Sequence, residues 1–195
     1  MPQRIQEVEA LMLRHEREPE HVLQVRKMAM MIFDPLRELH GYGPGERFIL
    51  EAASLLHDIG HVHAPDGRGH HKWSARMIRE HSWKYVDDRT RELVACVARY
   101  HRTSPPSPEH EEFTALDLAD QTVVVKLASL LRIADCLDRS HLQVIRSITV
   151  NMDGRKIFIQ PDAGGDITAE KAMFHKKAEL FETVFDRKLI LAEIQ

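Results

Sequence analysis

His57 and Asp58 stand next to each other directly after an apolar run, and they are the clearest chemical feature of the chain. An imidazole and a carboxylate are both good ligands for a divalent metal ion. Adjacent side chains on a helix diverge by about 100°, but near a helix end both can reach one ion from different sides. The pair is therefore a candidate metal site. A pair alone is weak evidence, so the prediction depends on other ligand-type residues.

Further ligand-type residues lie far apart in the sequence, each at the end or on the apolar face of a different predicted helix. They are His21, His70 or His71, His101 and Asp135. Asp135 lies within the apolar run LLRIADCLD, where burying a carboxylate is costly unless it is paired or binds a metal. The set as a whole predicts that these residues converge on one metal site.

Each of these residues also has a purely structural interpretation. Asp135 could pair with Arg132 or Arg139, His21 could be a core histidine with its hydrogen bonds made, and His101 could be a polar helix end. For any one residue this interpretation is reasonable. For His57, Asp58 and Asp135 together, metal binding is the better explanation.

The types of ligand indicate which metals suit the site. Mixed nitrogen and oxygen ligands favour Mn, Mg, Fe, Co, Ni or Zn, and the chain has no Cys-x-x-Cys pair for a thiolate zinc site. We therefore expect a divalent metal ion as cofactor, one or two per chain. A zinc-protease motif, a P-loop and a Gly-x-Gly-x-x-Gly motif are all absent from the sequence.

The composition limits the classes of partner. The 27 basic and 30 acidic residues give a net charge of −3 without a long run of one sign, so neither a nucleic-acid polymer nor a membrane surface is an expected partner. No stretch approaches the roughly 18 uninterrupted apolar residues of a membrane helix. Cys96 and Cys136 lie in apolar helical patterns, which suits buried thiols in a reducing compartment. A cytoplasmic location is expected.

The elements that must position these residues are mainly α-helical. Apolar periodicity predicts helices from Ile5 to His15, from His21 to Leu39, from Ile49 into the His57-Asp58 pair, after His70 and His71, and from about Thr90 to His101. The prolines within residues 103–112 predict a surface loop. Asp120 is the predicted cap of an apolar helix from Val123 to about Leu137, which carries Asp135.

The pattern changes in the last quarter of the chain. Alternating residues in 144–150 and 157–160 flank Asp153-Gly154, a pair typical of a β-hairpin turn. A final amphipathic helix carries a stripe of Phe174, Ala178, Phe181 and Phe185, with Thr168 as its predicted cap. We therefore expect one domain: a helical metal-binding core in residues 1–142, with the hairpin and final helix of residues 143–195 packed on it.

The ordered series of His21, the His57-Asp58 pair and Asp135 resembles the HD superfamily of metal-dependent phosphohydrolases. A narrower resemblance is to the C-terminal HD-like domain of the exopolyphosphatase and guanosine-pentaphosphatase family. It rests on the stretches ILEAASLLHDIGHV, GHHKWSARMI, VARYHR and VKLASLLRIADCLDRSH, and it extends from about His21 to the final helix. In that family the helical domain follows an actin-like catalytic portion, which 195 residues cannot contain, so the polyphosphatase activity is not carried over.

The resemblance implies an HD-type helical bundle and a set of ligands. It gives His21, His57, Asp58 and Asp135 to a first metal ion, and His70 or His71 with His101 to a second. Many two-metal HD enzymes have Gly-Lys after the pair, whereas this chain has Gly60-His61. The residues that could replace this lysine in binding phosphate are Lys72, Arg102, Lys126, Arg132 and Arg139.

These features predict hydrolysis of a phosphate ester or anhydride, with a nucleotide, alarmone or polyphosphate-like molecule as substrate. Asp58 and His57 are the predicted catalytic residues, Asp58 as a ligand that can also help to deprotonate a water. One alternative is a noncatalytic sensor that binds a nucleotide or polyphosphate. Another is an assembly module with a structural metal, and the stripe that contains Phe174 leaves a homodimer open.

Overall fold

The computed structural model describes residues 2–64, 66–102 and 104–193. The protein is mainly α-helical with a small sheet near the C-terminus, as the sequence predicts. Its helices are α1 (Pro2–His15), α2 (Pro19–Phe33), α3 (Arg37–His40), α4 (Pro44–Leu56), α5 (His70–Glu80), α6 (Asp88–Arg99), α7 (Glu111–Thr114), α8 (Leu118–Cys136) and α9 (Thr168–Phe185). Two 3₁₀ turns, Asp34–Leu36 and Ile59–Val62, follow α2 and α4.

Helix α8 lies at the centre of the helical body and contacts α2, α4, α6 and α9. Its second half is buried on every side, from Leu127 to Cys136. A helix that is apolar almost all round must be surrounded by other elements. The few polar side chains in that half, Asp135 among them, are therefore held within the core rather than at the surface.

The predicted helix from His21 to Leu39 is interrupted in the structure. Helix α2 ends at Phe33, and the chain passes through the 3₁₀ turn that contains Pro35 before α3 begins. A proline inside a helix lacks the backbone N–H and clashes with the preceding turn. The apolar spacing continues across this interruption, which is why the periodicity alone overestimated the length of the helix.

The predicted caps of the two long helices are wrong. Asp117, and not Asp120, caps α8, because its carboxylate accepts a hydrogen bond from the backbone N–H of Asp120 at 2.8 Å. Asp120 lies one turn inside the helix and pairs with Arg89. Thr168 is the first residue of α9, and its hydroxyl donates to Asp166 Oδ1 at 2.7 Å instead of capping the helix.

The predicted hairpin forms from β1 (Ile145–Asp153) and β2 (Lys156–Ala163), which pair antiparallel. Gly154 in the turn has φ +57°, a conformation that glycine adopts readily. A third strand that was not predicted, β3 (Lys188–Leu191), pairs parallel with β2 after α9 makes the crossover. At four residues, β3 is too short to show alternation.

Helix α9 packs its aromatic stripe against α8 within the same chain. Phe174, Phe181 and Phe185 are all buried there, so the stripe that could have formed a dimer interface is part of the core. Cys96 and Cys136 are likewise buried, as predicted. None of the helices in the described part of the chain has the length and apolar character needed to span a membrane.

Candidate metal centre

Five helical segments meet at one end of the bundle and bring the predicted ligands together. His21 lies in the first turn of α2, His57 and Asp58 directly follow α4, and His70 begins α5. His101 follows α6, and Asp135 lies in the last turn of α8; these two residues join the other four at the same place. All six side chains are buried.

Gly60 lies in the turn after the His57-Asp58 pair, and the close packing of this turn against α5 depends on it. A Cβ atom at this position would lie 2.2 Å from the backbone oxygen of His70 and 2.4 Å from the backbone nitrogen of Ser74. The backbone N–H of Gly60 also donates to Ser74 Oγ at 2.9 Å. A residue without a side chain therefore allows the start of α5 to approach the pair.

The orientation of each histidine follows from the acceptor beside its Nδ1 atom. His57 Nδ1 lies 2.8 Å from the Ser54 carbonyl oxygen, and His101 Nδ1 lies 2.7 Å from that of Ala98. A carbonyl oxygen can only accept a hydrogen bond, so Nδ1 carries the proton in both rings. The Nε2 atom of each neutral ring then keeps its lone pair, as a metal ligand requires.

His70 and His21 are held in the same way. His70 Nδ1 donates to the Gly67 carbonyl oxygen at 2.9 Å, and His21 Nδ1 donates to Asp138 Oδ2 at 2.9 Å. The Nε2 atoms of His21 and His57 are buried and have no hydrogen-bond partner. Buried polar atoms without partners are rare in folded proteins, and a missing ion is one physical explanation for them.

One group of donor atoms surrounds a point between His21, His57, Asp58 and Asp135. His21 Nε2 lies 3.7 Å from Asp135 Oδ1 and 4.0 Å from Asp58 Oδ2, and His57 Nε2 lies 4.0 and 3.6 Å from the same two oxygens. Ligands of one ion at about 2.1 Å must lie within roughly 4.2 Å of each other. Each of the two oxygens lies within this distance of both imidazole nitrogens, so the two histidines with either carboxylate suit a single divalent ion.

A second group of donors lies on the other side of Asp58. His70 Nε2 is 3.1 Å from Asp58 Oδ1 and 3.1 Å from His101 Nε2, and His101 Nε2 is 3.4 Å from the same oxygen. Two imidazole lone pairs at 3.1 Å repel each other unless a proton or a cation lies with them. Asp58 thus offers one oxygen to each group, and the arrangement fits two ions as well as one.

The electrostatics of the cluster oppose the cost of burying its carboxylates. Burial alone would raise the pKa of Asp135, but Lys177, His21 and other nearby histidines outweigh it and hold the pKa well below its usual value. The same holds for Asp58. Burial alone would raise its pKa, but His57, His70 and other histidines outweigh that effect and lower the pKa well below its usual value. Both carboxylates are therefore ionised at neutral pH.

The pKa values of His101 and His21, which lie near Asp135, shift in opposite directions. Burial lowers the pKa of His101 well below its usual value, helped by His57. Burial also lowers the pKa of His21, but the carboxylates of Asp135 and Asp138 outweigh it and raise that pKa to about 10. A cation at this point would take the place of the proton on His21, since a metal competes with protons for its ligands.

Four residues near the cluster were not singled out as ligands or supports in the sequence. Lys177 on α9 donates to Asp135 Oδ2 at 2.8 Å and to the His101 carbonyl oxygen at 2.9 Å. Asp138, fully buried, supports His21, and the ring of His141 stacks on His21 at 3.8 Å. His61, with a side chain 34% exposed, places Nε2 3.8 Å from Asp58 Oδ2.

Two of these residues did leave a sequence signal. Asp138 follows Asp135 by three residues, so the two carboxylates share one face of the helix end. Lys177 lies between Phe174 and Phe181 on the apolar face of α9, where a lysine is out of place unless it has a partner.

The structure does not bring every predicted residue to the cluster. Of His70 and His71, it is His70 that joins the cluster, while His71 lines a neighbouring pocket and has a pKa lowered to about 4, first by burial and then by His70. Lys126 lies in the middle of α8, away from the cluster, with its ammonium 3.5 Å from the His40 carbonyl oxygen. Arg132 is buried within α8.

The cluster forms the floor of a solvent-accessible cleft of about 330 Å³. The basic residues predicted to bind phosphate divide around it: Arg102 and Arg139 line the cleft, while Lys72 lines the neighbouring pocket together with Arg102. Arg68 and Lys177 add positive charge to the cleft wall. The cleft therefore combines buried metal-type ligands with cations that suit an anionic ligand.

The helical body with its histidine and aspartate cluster is consistent with a domain of the HD superfamily. A family model described as Ppx/GppA phosphatase, domain III, matches residues 4–163. The match covers most of the chain, which therefore belongs to this family. Among curated proteins, no relative matches the chain.

Proposed function

We propose that the chain is a metal-dependent phosphohydrolase of the HD type, acting on a phosphate ester or anhydride. The observation that carries the proposal is the convergence of four imidazole Nε2 atoms on Asp58 and Asp135, with the Nε2 atoms of His21 and His57 buried and unpartnered. A purely structural cluster would be expected to satisfy these atoms with hydrogen bonds.

The proposed ligands divide into two sets. His21, His57, Asp58 and Asp135 would hold one ion, and Asp58, His70 and His101 would hold a second. The nitrogen and oxygen donors suit Mn, Mg, Fe, Co, Ni or Zn. Once bound, the metal supplies an acidified water and a polarised phosphoryl oxygen.

The remaining side chains have roles of binding and support. Arg102 and Arg139 line the cleft and would bind phosphate oxygens, for which the guanidinium fork is well suited. Asp138 fixes the His21 ring through Nδ1, and Lys177 keeps Asp135 in place from the opposite side. Asp58 is central to both sets, and we assign to it the role of helping to deprotonate an attacking water because of its position between them.

A second candidate function is a noncatalytic binding module. The family model that matches the chain describes domain III of a phosphatase, which is one part of a larger protein, and this observation favours a regulatory role. Such a module would bind a nucleotide or polyphosphate in the cleft without consuming it. Turnover distinguishes the two functions.

The test is metal analysis of protein purified without chelators, beside the Asp58→Ala and Asp135→Ala variants. Asp162→Ala is the matched control, because Asp162 is an exposed carboxylate on β2. A phosphate-release screen with added manganese follows. We expect stoichiometric metal and metal-dependent release in the wild type and the control, and the loss of both in the two site variants. A wild type that retains no metal and releases no phosphate would contradict the hydrolase and leave the binding module.

A further inference from the structure

His61 is a half-buried histidine in the metal cleft that neither of the two proposed ligand sets uses. It lies three residues after Asp58, in the 3₁₀ turn Ile59–Val62. Its side chain is 34% exposed, against 12% for Asp58 and 7% for His70. A histidine that is open to solvent and lies beside buried donor atoms can reach an ion from the cleft side.

The donor atoms of His61, Asp58 and His70 lie close enough together to share one ion. His61 Nε2 is 3.8 Å from Asp58 Oδ2, and one ligand atom from each of the three residues lies within 4.8 Å of the other two. A distance of 3.8 Å is too long for a hydrogen bond, but it is normal for two atoms bound to the same ion. Ligands of one ion lie up to about 4.2 Å apart, so a small rotation of the His61 ring is enough to meet this limit.

The contact between Asp58 and His70 is prepared for a cation. His70 Nδ1 donates to the Gly67 carbonyl oxygen at 2.9 Å, so Nε2 of the neutral ring carries a lone pair. That lone pair faces Asp58 Oδ1 at 3.1 Å, and this buried oxygen has no hydrogen-bond partner among the described residues. Two acceptor atoms at this distance repel each other unless a proton or a cation lies with them. A metal ion that also reaches His61 would supply the missing positive charge.

The three residues face the solvent-accessible side of the cluster. Asp58, His61 and His70 all line the cleft, whereas His21 and His57 are not among the described residues that line it. The rings of His61 and His70 are stacked, with 3.9 Å between their centroids and an interplanar angle of 20°. Support of His70 by stacking is therefore the alternative role for His61, and it requires no nitrogen atom.

We infer that His61 is a further ligand of the second ion, the one proposed for Asp58, His70 and His101. This inference rests on the proposed function for the existence of that ion. Three imidazoles and one carboxylate form a nitrogen-rich set, which suits Co, Ni, Zn or Fe better than Mg or Mn. The second ion is thus the one that lies in the cleft, with His61 as its most exposed ligand.

The test titrates metal-depleted protein with Co²⁺, measures binding by calorimetry, and records the visible absorption of the bound ion, which reports its ligands. We expect the wild type to bind two ions. His61→Gln should lower the affinity for one ion by at least about tenfold, the lower end of the effect of even a supporting residue, and should leave the other ion unchanged. The loss should be smaller for Mn²⁺, which depends less on imidazole ligands.

Two more variants separate ligation from other effects. His63→Gln is the matched control, because His63 is an exposed histidine at the end of the same 3₁₀ turn, and it should bind both ions as the wild type does. His61→Phe keeps an aromatic ring beside His70 but has no nitrogen, so it should lose affinity as His61→Gln does. Circular dichroism would check that each variant is folded.

The outcomes distinguish this inference from the proposed function. Wild-type affinity for both ions in His61→Gln or in His61→Phe, or a wild type that binds fewer than two ions, would overturn the inference. If the wild type binds two ions and releases phosphate while the His61 variants bind metal normally, the hydrolase stands without this ligand. If His61→Gln and His61→Phe lose one ion but the wild type releases no phosphate, the ligand stands and the hydrolase fails.

Discussion

Asp135 and Asp120 lie on the same helix and look alike by simple measures, since their exposed fractions are 8% and 7%. Each also pairs with a cation, Asp135 with Lys177 and Asp120 with Arg89. The two ion pairs differ in what contacts the second oxygen of each carboxylate. Arg89 contacts both oxygens of Asp120, whereas Lys177 contacts only Oδ2 of Asp135 and leaves Oδ1 facing the Nε2 atoms of two histidines.

This comparison shows that burial and an ion pair do not by themselves identify a site. The cation at Asp120 is also largely exposed, with 60% of the Arg89 side chain accessible, against 10% for Lys177. Asp120 therefore joins a stabilising surface pair, while Asp135 joins a buried group of donors in which the Nε2 atoms of His21 and His57 make no hydrogen bond. Matched changes at the two ends of α8 can break or sharpen this distinction.

Removal of the cation should have the largest effect. Lys177→Met leaves Asp135 as a buried charge without its partner, and we expect a loss of about 3–5 kcal/mol of unfolding free energy in metal-depleted protein. Arg89→Met should cost no more than about 1 kcal/mol, because that pair is partly exposed. Denaturant unfolding measures both. Added metal should restore part of the loss in Lys177→Met, and equal losses in the two variants would contradict the comparison.

Neutralising each carboxylate in turn should have different effects on metal affinity. Asp135→Asn removes a proposed ligand, and we expect affinity to fall by more than about 100-fold, beyond the effect typical of a supporting residue. Asp120→Asn should bind metal as the wild type does. Titration with manganese followed by calorimetry gives both values. Undiminished binding in Asp135→Asn would remove this residue from the ligand set.

The supporting residue Asp138 should have a smaller effect on the same measurement. Asp138→Asn weakens the acceptor that fixes His21 Nδ1, and loss of such an outer contact typically lowers metal affinity by roughly 10- to 100-fold. Circular dichroism would check that the variant is folded. Affinity equal to that of the wild type would show that His21 does not need Asp138 in order to bind a metal.

The smallest effect is expected at Asp117, the cap of α8 and a neighbour of Asp120. Asp117→Ala removes the hydrogen bond to the Asp120 backbone N–H and should cost about 1 kcal/mol of stability. Metal affinity should stay unchanged, since the cap lies at the end of α8 opposite to Asp135. Thermal unfolding together with a metal titration tests both parts, and a change in affinity would show that the two ends are coupled.

The residues that the sequence identified are those with a local signal. His57 and Asp58 end an apolar helix, and Asp135 interrupts an apolar run, so their burial could be read from their neighbours. Lys177 was missed because it reaches Asp135 only through the packing of α9 on α8, over 42 positions of sequence. The prediction of Asp120 as the cap was wrong for another reason, because Asp117 is also a capping residue type and only the backbone path distinguishes the two.

Elements of the fold and the histidines were likewise predictable only where the local sequence carries a signal. The long helices were predictable because each carries an apolar stripe over several turns, whereas β3 exists only because α9 returns the chain to β2. His70 and His71 are equivalent in sequence, and the start of α5 directs one to the cluster and the other to the neighbouring pocket.

Gly60 makes one part of the cluster rigid. The backbone of α5 touches the turn after the His57-Asp58 pair directly, with no side chain between them that could flex. The separation of His70 from Asp58 is thus set by two main chains in contact rather than by rotamers. For the metal centre we propose, such close backbone contact would lower the cost of ordering the ligands around an ion.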